Sequence, residues 1–473
     1  MSGAVSKTFI KDMTEGSPIK LIIGFAVPML MGMLFQQFYS MVDTIIVGKC
    51  LGVEALAAVG STGAVGFMVN GFVIGICSGF AIPVAQQFGA QDYKEMRRFV
   101  ANAAWLSVLL SVVMTVAISR LTRDILILMQ TPENIIQGAY NYIFYIFLGI
   151  PVTFLYNLLA GVIRSLGDSK TPVYFLVFSS ILNIGLDLFF ILAVGTGIAG
   201  AAYATVISQA VSGMLCFFYM RKKFEILKMG REEIQLSGSH IKTLCMMGIP
   251  MGLQYSITAI GSVVIQAAIN SLGSVAVASV AAAQKASLIF CCPFDALGGT
   301  MATYAGQNVG ARKLDRIEQG IRSATLLGSI YSLAACAVMY FFGEWILKLF
   351  IDSSETVVLY QARQYLIYGS MFFIFLTFVN VWRFTIQGLG YSGFAVLAGV
   401  CEMIGRAFVG FVIVPKFGYI AVCFASPLAW FMADLFLVPA FGYCIRRLRI
   451  RFQCEDGKER GKEARKMVYQ VHG

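Results

Sequence analysis

The chain has 473 residues, of which 58% are hydrophobic and only 13% charged, and its mean hydropathy is +0.76. Soluble domains carry about 25% charged residues, so this composition excludes a large water-facing surface and implies one that faces hydrocarbon. The net charge of +11 then reads as membrane topology and contact with anionic lipid, with no nucleic acid as partner.

In chain order, Met1 to Lys20 carries Lys7, Lys11, Asp12, Glu15 and Lys20 and no apolar stretch. No cleavable signal is expected, and the first span acts as its own insertion signal. A bilayer core about 30 Å thick needs roughly 20 apolar residues per helix. That rule predicts spans over 21–47, 56–84, 100–118, 139–163, 172–194 and 199–219. A polar linker, Arg221 to Lys242, separates these from spans over 244–269, 275–297, 317–342, 362–381, 394–414 and 420–445. The expected fold is an all-α membrane protein of about twelve transmembrane helices. It divides into an N-lobe over 1–230, a C-lobe over 231–451 and a charged cytoplasmic tail over 452–473.

Alternate loops differ in charge. With the N-terminus inside, inner segments hold 28 Lys and Arg and outer segments 6, counting Arg164 and Arg383 as inner-loop residues. Both termini are therefore expected in the cytoplasm of a multi-pass plasma (inner) membrane protein.

The two halves repeat each other. Val27-Pro28-Met29 is echoed by Ile249-Pro250-Met251, and Ala85-Gln86-Gln87-Phe88-Gly89-Ala90 by Gly306-Gln307-Asn308-Val309-Gly310-Ala311. Ile163-Arg164-Ser165-Leu166-Gly167 matches Ile386-Gln387-Gly388-Leu389-Gly390, and Gly197 onward resembles Gly418 onward. The offsets stay between 221 and 223 residues. Each half holds an even number of spans, so the pseudo-twofold axis runs along the membrane normal with a substrate cavity between the halves. That organisation points to a transporter working by alternating access.

Ionisable residues within spans are costly and mark function. They are Asp43, Asp187, Lys285, Glu402 and Arg406, with Asp295 and Asp434 nearer helix ends. At 1.5 Å per residue, Asp43, Asn157, Asn183, Asp187 and Thr205 fall in overlapping layers in the middle to outer half of the core. Such an oxygen cage can hold Na⁺ or keep a carboxylate protonated. In the C-lobe, Lys285 and Glu402 reach similar depths, and a contact between them is expected, with Arg406 as second partner. Gly71-x-x-x-Gly75-x-x-x-Gly79 predicts close helix packing. Pro28 and Pro250 predict kinks that can serve as hinges.

The eleven cysteines are scattered without a Cys-x-x-Cys pattern, and the histidines are His240 and His472. No zinc site, disulfide framework or Ser/His/Asp constellation is expected. No Walker A sequence appears, so no ATP hydrolysis is expected. The chain is not expected to be an enzyme or to carry a cofactor.

The Val42-Asp43-Thr44-Ile45-Ile46-Val47-Gly48 segment, the Ala85–Ala90 block with its repeat, and Asn183-x-x-x-Asp187 resemble the multidrug and toxic compound extrusion (MATE) family. The resemblance implies a V of two six-helix bundles that exports organic cations and drugs in exchange for H⁺ or Na⁺. It makes Asp43 the first-span coupling carboxylate, with Asn157, Asn183, Asp187 and Thr205 as further cation ligands and Tyr142 nearby. Unlike some relatives, spans seven and ten carry no acidic residue here. Amphipathic small molecules and membrane lipids are the expected partners of a monomer. A flippase for lipid-linked precursors is the alternative; it needs several cavity cations, and the candidates are Lys285 and Arg406.

Overall fold

A computed structural model describes residues 11–129 and 131–471; Lys7 and His472 lie outside them. The first half comprises α1 (Pro18–Leu51), α2 (Val53–Ser61), α3 (Gly63–Gly89) and α4 (Tyr93–Leu128). It continues through α5 (Glu133–Leu148), α6 (Ile150–Ser165), α7 (Lys170–Leu188) and α8 (Ile198–Lys223). The second half comprises α9 (Gly238–Asn270), α10 (Ser274–Gly310), α11 (Leu314–Leu347), α12 (Thr356–Met371) and α13 (Phe373–Gly388). It ends with α14 (Ser392–Phe408), α15 (Val414–Phe417), α16 (Tyr419–Cys423) and α17 (Ala425–Val471). Among the described residues, ten helices are long and apolar enough to span on their own, and taking each of two bent pairs as one span brings the total to twelve.

The repeat is visible in the irregularities. The α5–α6 pair bends by 47° at Gly149 and the α12–α13 pair by 52° at Phe372, and these breaks match at the repeat offset. A π-helical turn follows α7 at Phe189–Ala193, and another follows α14 at Val409–Ile413. Sequence spans missed such breaks because hydropathy is continuous through them. The span expected over 362–381 in fact runs to Gly388, and the second span is interrupted at Thr62.

Each half's first helix starts in the other half's core. Leu21, Ile22 and Phe25 of α1 pack with Met301, Tyr304 and Ile321, whereas Ile46 and Val47 pack with Ile191 and Ala201. In α9, Leu244 joins the first-half core, and Ile265 and Ile269 pack with Val409 and Val422. Pro28 and Pro250 stand between the two anchorages of their helices.

The glycine stripe of α3 packs against α9. A Cβ at Gly75 would stand 2.5 Å from the Met251 carbonyl oxygen, and one at Gly79 would stand 2.5 Å from the Gly248 Cα. Nearer the ends of α3 and α10 the contact becomes reciprocal. Gly89 abuts the Gln307 carbonyl and Gly310 the Gln86 carbonyl. Gln86 Nε2 donates to the Gly388 oxygen at 2.9 Å, and Gln307 Nε2 to the Ser165 oxygen at 2.8 Å. Gly388 and Ser165 are themselves repeat equivalents. The N-terminal segment ties this junction: Lys11 N donates to the Leu166 oxygen, and Met13 N to Gln307 Oε1. The lobes are thus closed at the end that the charge count assigns to the cytoplasm. Toward the other end, past Gly71 and Tyr255, residues such as Phe67 and Thr258 line a cavity instead.

Candidate functional site

A cavity of about 860 Å³ lies between the lobes. Its first-half wall includes Asp43, Tyr142, Asn157, Asn183 and Thr205. Asp187 does not line it: this side chain is fully buried in the wall, one turn beyond Asn183 on α7.

The six expected N-lobe residues are disposed as follows. Asp43 and Asp187 bring their carboxyl groups into hydrogen-bonding range of each other. Asn183 Nδ2 donates to Thr205 Oγ1 at 3.4 Å, and Tyr142 stands near Asp43. Asn157 Nδ2 donates to the Thr153 oxygen at 2.8 Å. Asp43 Oδ1, Asn183 Oδ1 and both Asp187 oxygens are buried without a donor. Buried acceptors without partners are expensive, and two carboxylates cannot serve one another. A shared proton, or a cation among these oxygens, would supply what is missing. The donor set is all oxygen, which suits a hard cation such as Na⁺ and equally suits a proton. Tyr39 and Gln36 flank Asp43 on the same helix. Sequence reading passed over them, although Tyr39 lies one turn before Asp43.

The C-lobe expectation needs correction. Lys285 is exposed and does not meet Glu402. Instead Glu402, 3% exposed, is held by Arg383 Nη2 and by Arg406 Nη2, the latter at 3.4 Å. Arg383 was counted as a loop charge because the bend in the α12–α13 pair displaced the expected end of the span. The cations that line the cavity are therefore Arg164 and Arg383, with Asp295 as an additional acid. Lys285 and Arg406 are not on its wall. Moving Arg164 and Arg383 out of the loop count leaves 26 inner against 6 outer charges, so the orientation argument stands. Among the described residues, no cluster of His, Cys, Asp and Glu suits a transition metal.

Comparison with known proteins places this geometry. The model of the MatE family matches residues 28–189 and 250–412, one block in each half. The chain belongs to the MatE family. Its members are transporters, not enzymes. The chain is 34% identical over 349 residues to the "Probable multidrug resistance protein YoeA" of Bacillus subtilis, covering 72% of this chain and 75% of that protein. It is 23% identical to the "FAD transporter" of Shewanella oneidensis, covering 77% of this chain and 82% of that one. An outward-facing multidrug resistance MATE transporter structure superposes with a TM-score of 0.86 at 22% identity, over 92% of this chain and 98% of that one. A MOP superfamily transporter from Pyrococcus furiosus gives 0.84 at 22%, over 93% and 97%. At that identity these structures establish the fold. The matched family blocks begin at Pro28 and Pro250, the residues that fixed the repeat.

Proposed function

We propose that this MatE protein is a secondary antiporter that exports amphipathic, cationic small molecules in exchange for H⁺ or Na⁺. The cavity alternates between the two membrane faces as the lobes rock. The observation that carries the proposal is the Asp43–Asp187 pair, three of whose carboxyl oxygens are buried without a donor beside a cavity between repeated lobes. A cation bound there competes with substrate, or changes the conformation that accepts it, which is what coupling requires. The multidrug-resistance name of the Bacillus relative supports drugs as the substrate class. The excess of inner charges supports a plasma-membrane protein with both termini cytoplasmic; the proposed working unit is the monomer, whose two lobes enclose the cavity.

A flippase remains the second reading, because Arg164 and Arg383 line the cavity. Asp43 on the first-half wall and Asp295 on the second-half wall, with Asp187 buried behind the former, weigh against a site built for pyrophosphate.

The test is transport in proteoliposomes with a pH or Na⁺ gradient imposed separately. One gradient should drive uptake of a cationic dye, and Asp43→Asn should abolish that uptake while retaining the melting temperature of the parent. Dye movement that ignores both gradients, or an Asp43→Asn variant that still follows one, would remove the coupling assignment.

A further inference from the structure

One charged group on the cavity wall takes no part in the carboxyl cluster. Arg164 sits in the last turn of α6 and lines the cavity toward its closed end. The ionisable groups around it are Tyr156, Cys216, Cys77 and Tyr255, none of them anionic at neutral pH. Among the described residues, its side chain forms no ion pair or hydrogen bond. An unpaired guanidinium within a membrane protein is costly unless water or a ligand solvates it.

The internal repeat sharpens the point. The counterpart of Arg164 in the second half is Gln387, which is buried and donates to Gln254 Oε1 at 2.6 Å. At the offset set by Pro28 and Pro250, the counterpart of Gln254 is Gly32, which has no side chain to offer. One half closes a neutral amide pair at this place, and the other presents a free cation to the cavity. A second guanidinium on the wall, Arg383, is held by Glu402 but leaves its Nε without a partner. The carboxyl pair lies farther toward the open end: Asn157 is already seven residues before Arg164 on α6, about 10 Å of helical rise. The first-half wall of the cavity is therefore bipolar along its depth, and on the second-half wall the acid Asp295 faces Arg383.

We propose that Arg164 forms an anion-binding subsite at the closed end of the cavity, taking the carboxylate of an amphipathic substrate whose apolar body lies along the wall. The planar fork of a guanidinium accommodates a carboxylate in bidentate fashion. Substrates then include zwitterionic as well as purely cationic amphiphiles. This rests on the cavity being the substrate site and specifies what that site selects. A competing structural role exists, since a cation at a helix C-terminus complements the helix dipole. That role affects stability and gives no preference between ligands.

The experiment is fluorescence titration of the full-length protein in nanodiscs with a xanthene dye, offered as its free carboxylate and as its methyl ester. The wild type should bind the carboxylate about tenfold more tightly than the ester, equivalent to about 1.4 kcal/mol. R164Q, which installs the second half's residue, should bring the ratio near one, and R164K should keep part of the preference. A fold defect lowers the active fraction without changing the ratio. Equal binding of both dyes by the wild type, or a preference that survives in R164Q, would overturn the subsite alone. Failure of the wild type to bind either dye would overturn the cavity as the amphiphile site, and the subsite with it.

Discussion

Glu402 illustrates how a buried charge survives in this interior: two arginines approach it from two helices, one of them a turn away on α14. Removing the acid takes the ion-pair partner from both guanidinium groups, leaving Arg383 only its longer-range neighbours Asp434 and Asp295, and breaking a buried pair costs about 3–5 kcal/mol. Glu402→Gln should therefore lower the melting temperature in detergent clearly, and Lys285→Ala, at an exposed site, should hardly change it. A stable Glu402→Gln protein would show that the pair is not structural. Outside the membrane, Glu233 accepts from Arg97 Nε at 2.9 Å, Arg97 Nη2 at 2.6 Å and the Gly230 amide at 2.8 Å. The Arg97 bonds, with the Gly230 amide, hold its carboxyl at about 2, below the usual 4.5. A depressed acid stabilises the docked linker above its unfolded pKa, and that contribution is lost as pH falls toward 2. Amide exchange in residues 228–237 should be slow and unaffected by pH-corrected comparison down to about pH 5, and faster in Glu233→Gln at neutral pH. Asp43, Asp187 and Glu402 were legible as acids in apolar runs. Arg164 and Arg383 were not, because a basic residue within a few positions of a span end looks the same as a loop charge.

At the level of elements, α3 and α9 decide where the lobes meet. Their contact depends on Gly75 and Gly79 lying against backbone, so a branched side chain at Gly75 must push the helices apart. Gly75→Val should bias the molecule toward opening at the inner junction, and the outer ends should approach each other. Spin labels at Glu54 and Ser274, near the outer ends of the two lobes, would report this as a shorter distance than in the parent; an unchanged distance would show that the stripe does not set the conformation. The stripe itself was readable as a packing motif, but its partner was not, since the pairing of α3 with α9 joins residues far apart in the chain. The bends at Gly149 and Phe372 and the π-turns escaped for another reason: they leave the apolar composition of the span untouched. The crossing of α1 and α9 between cores also left no periodic trace, although the matching prolines marked the places where it happens.

At the scale of the whole molecule, the number of spans and the twofold organisation followed from hydropathy and a repeat of 221–223 residues, and the charge count carries the proposed orientation. The cavity is the product of that organisation: closed at one end by the reciprocal Gln86 and Gln307 contacts, and lined by an acid and an arginine from each lobe, Asp43 and Arg164 from the first and Asp295 and Arg383 from the second. Its proposed work is to exchange an amphiphile for a cation. The most direct measurement is ion release on substrate binding: purified protein in weakly buffered solution is titrated with a cationic dye while pH and Na⁺ electrodes record the bath. The account predicts that saturation by dye releases one of the two ions in proportion to the protein present, and that Asp43→Asn binds dye without releasing it. Dye binding with no release from the wild type, or unchanged release from Asp43→Asn, would contradict it.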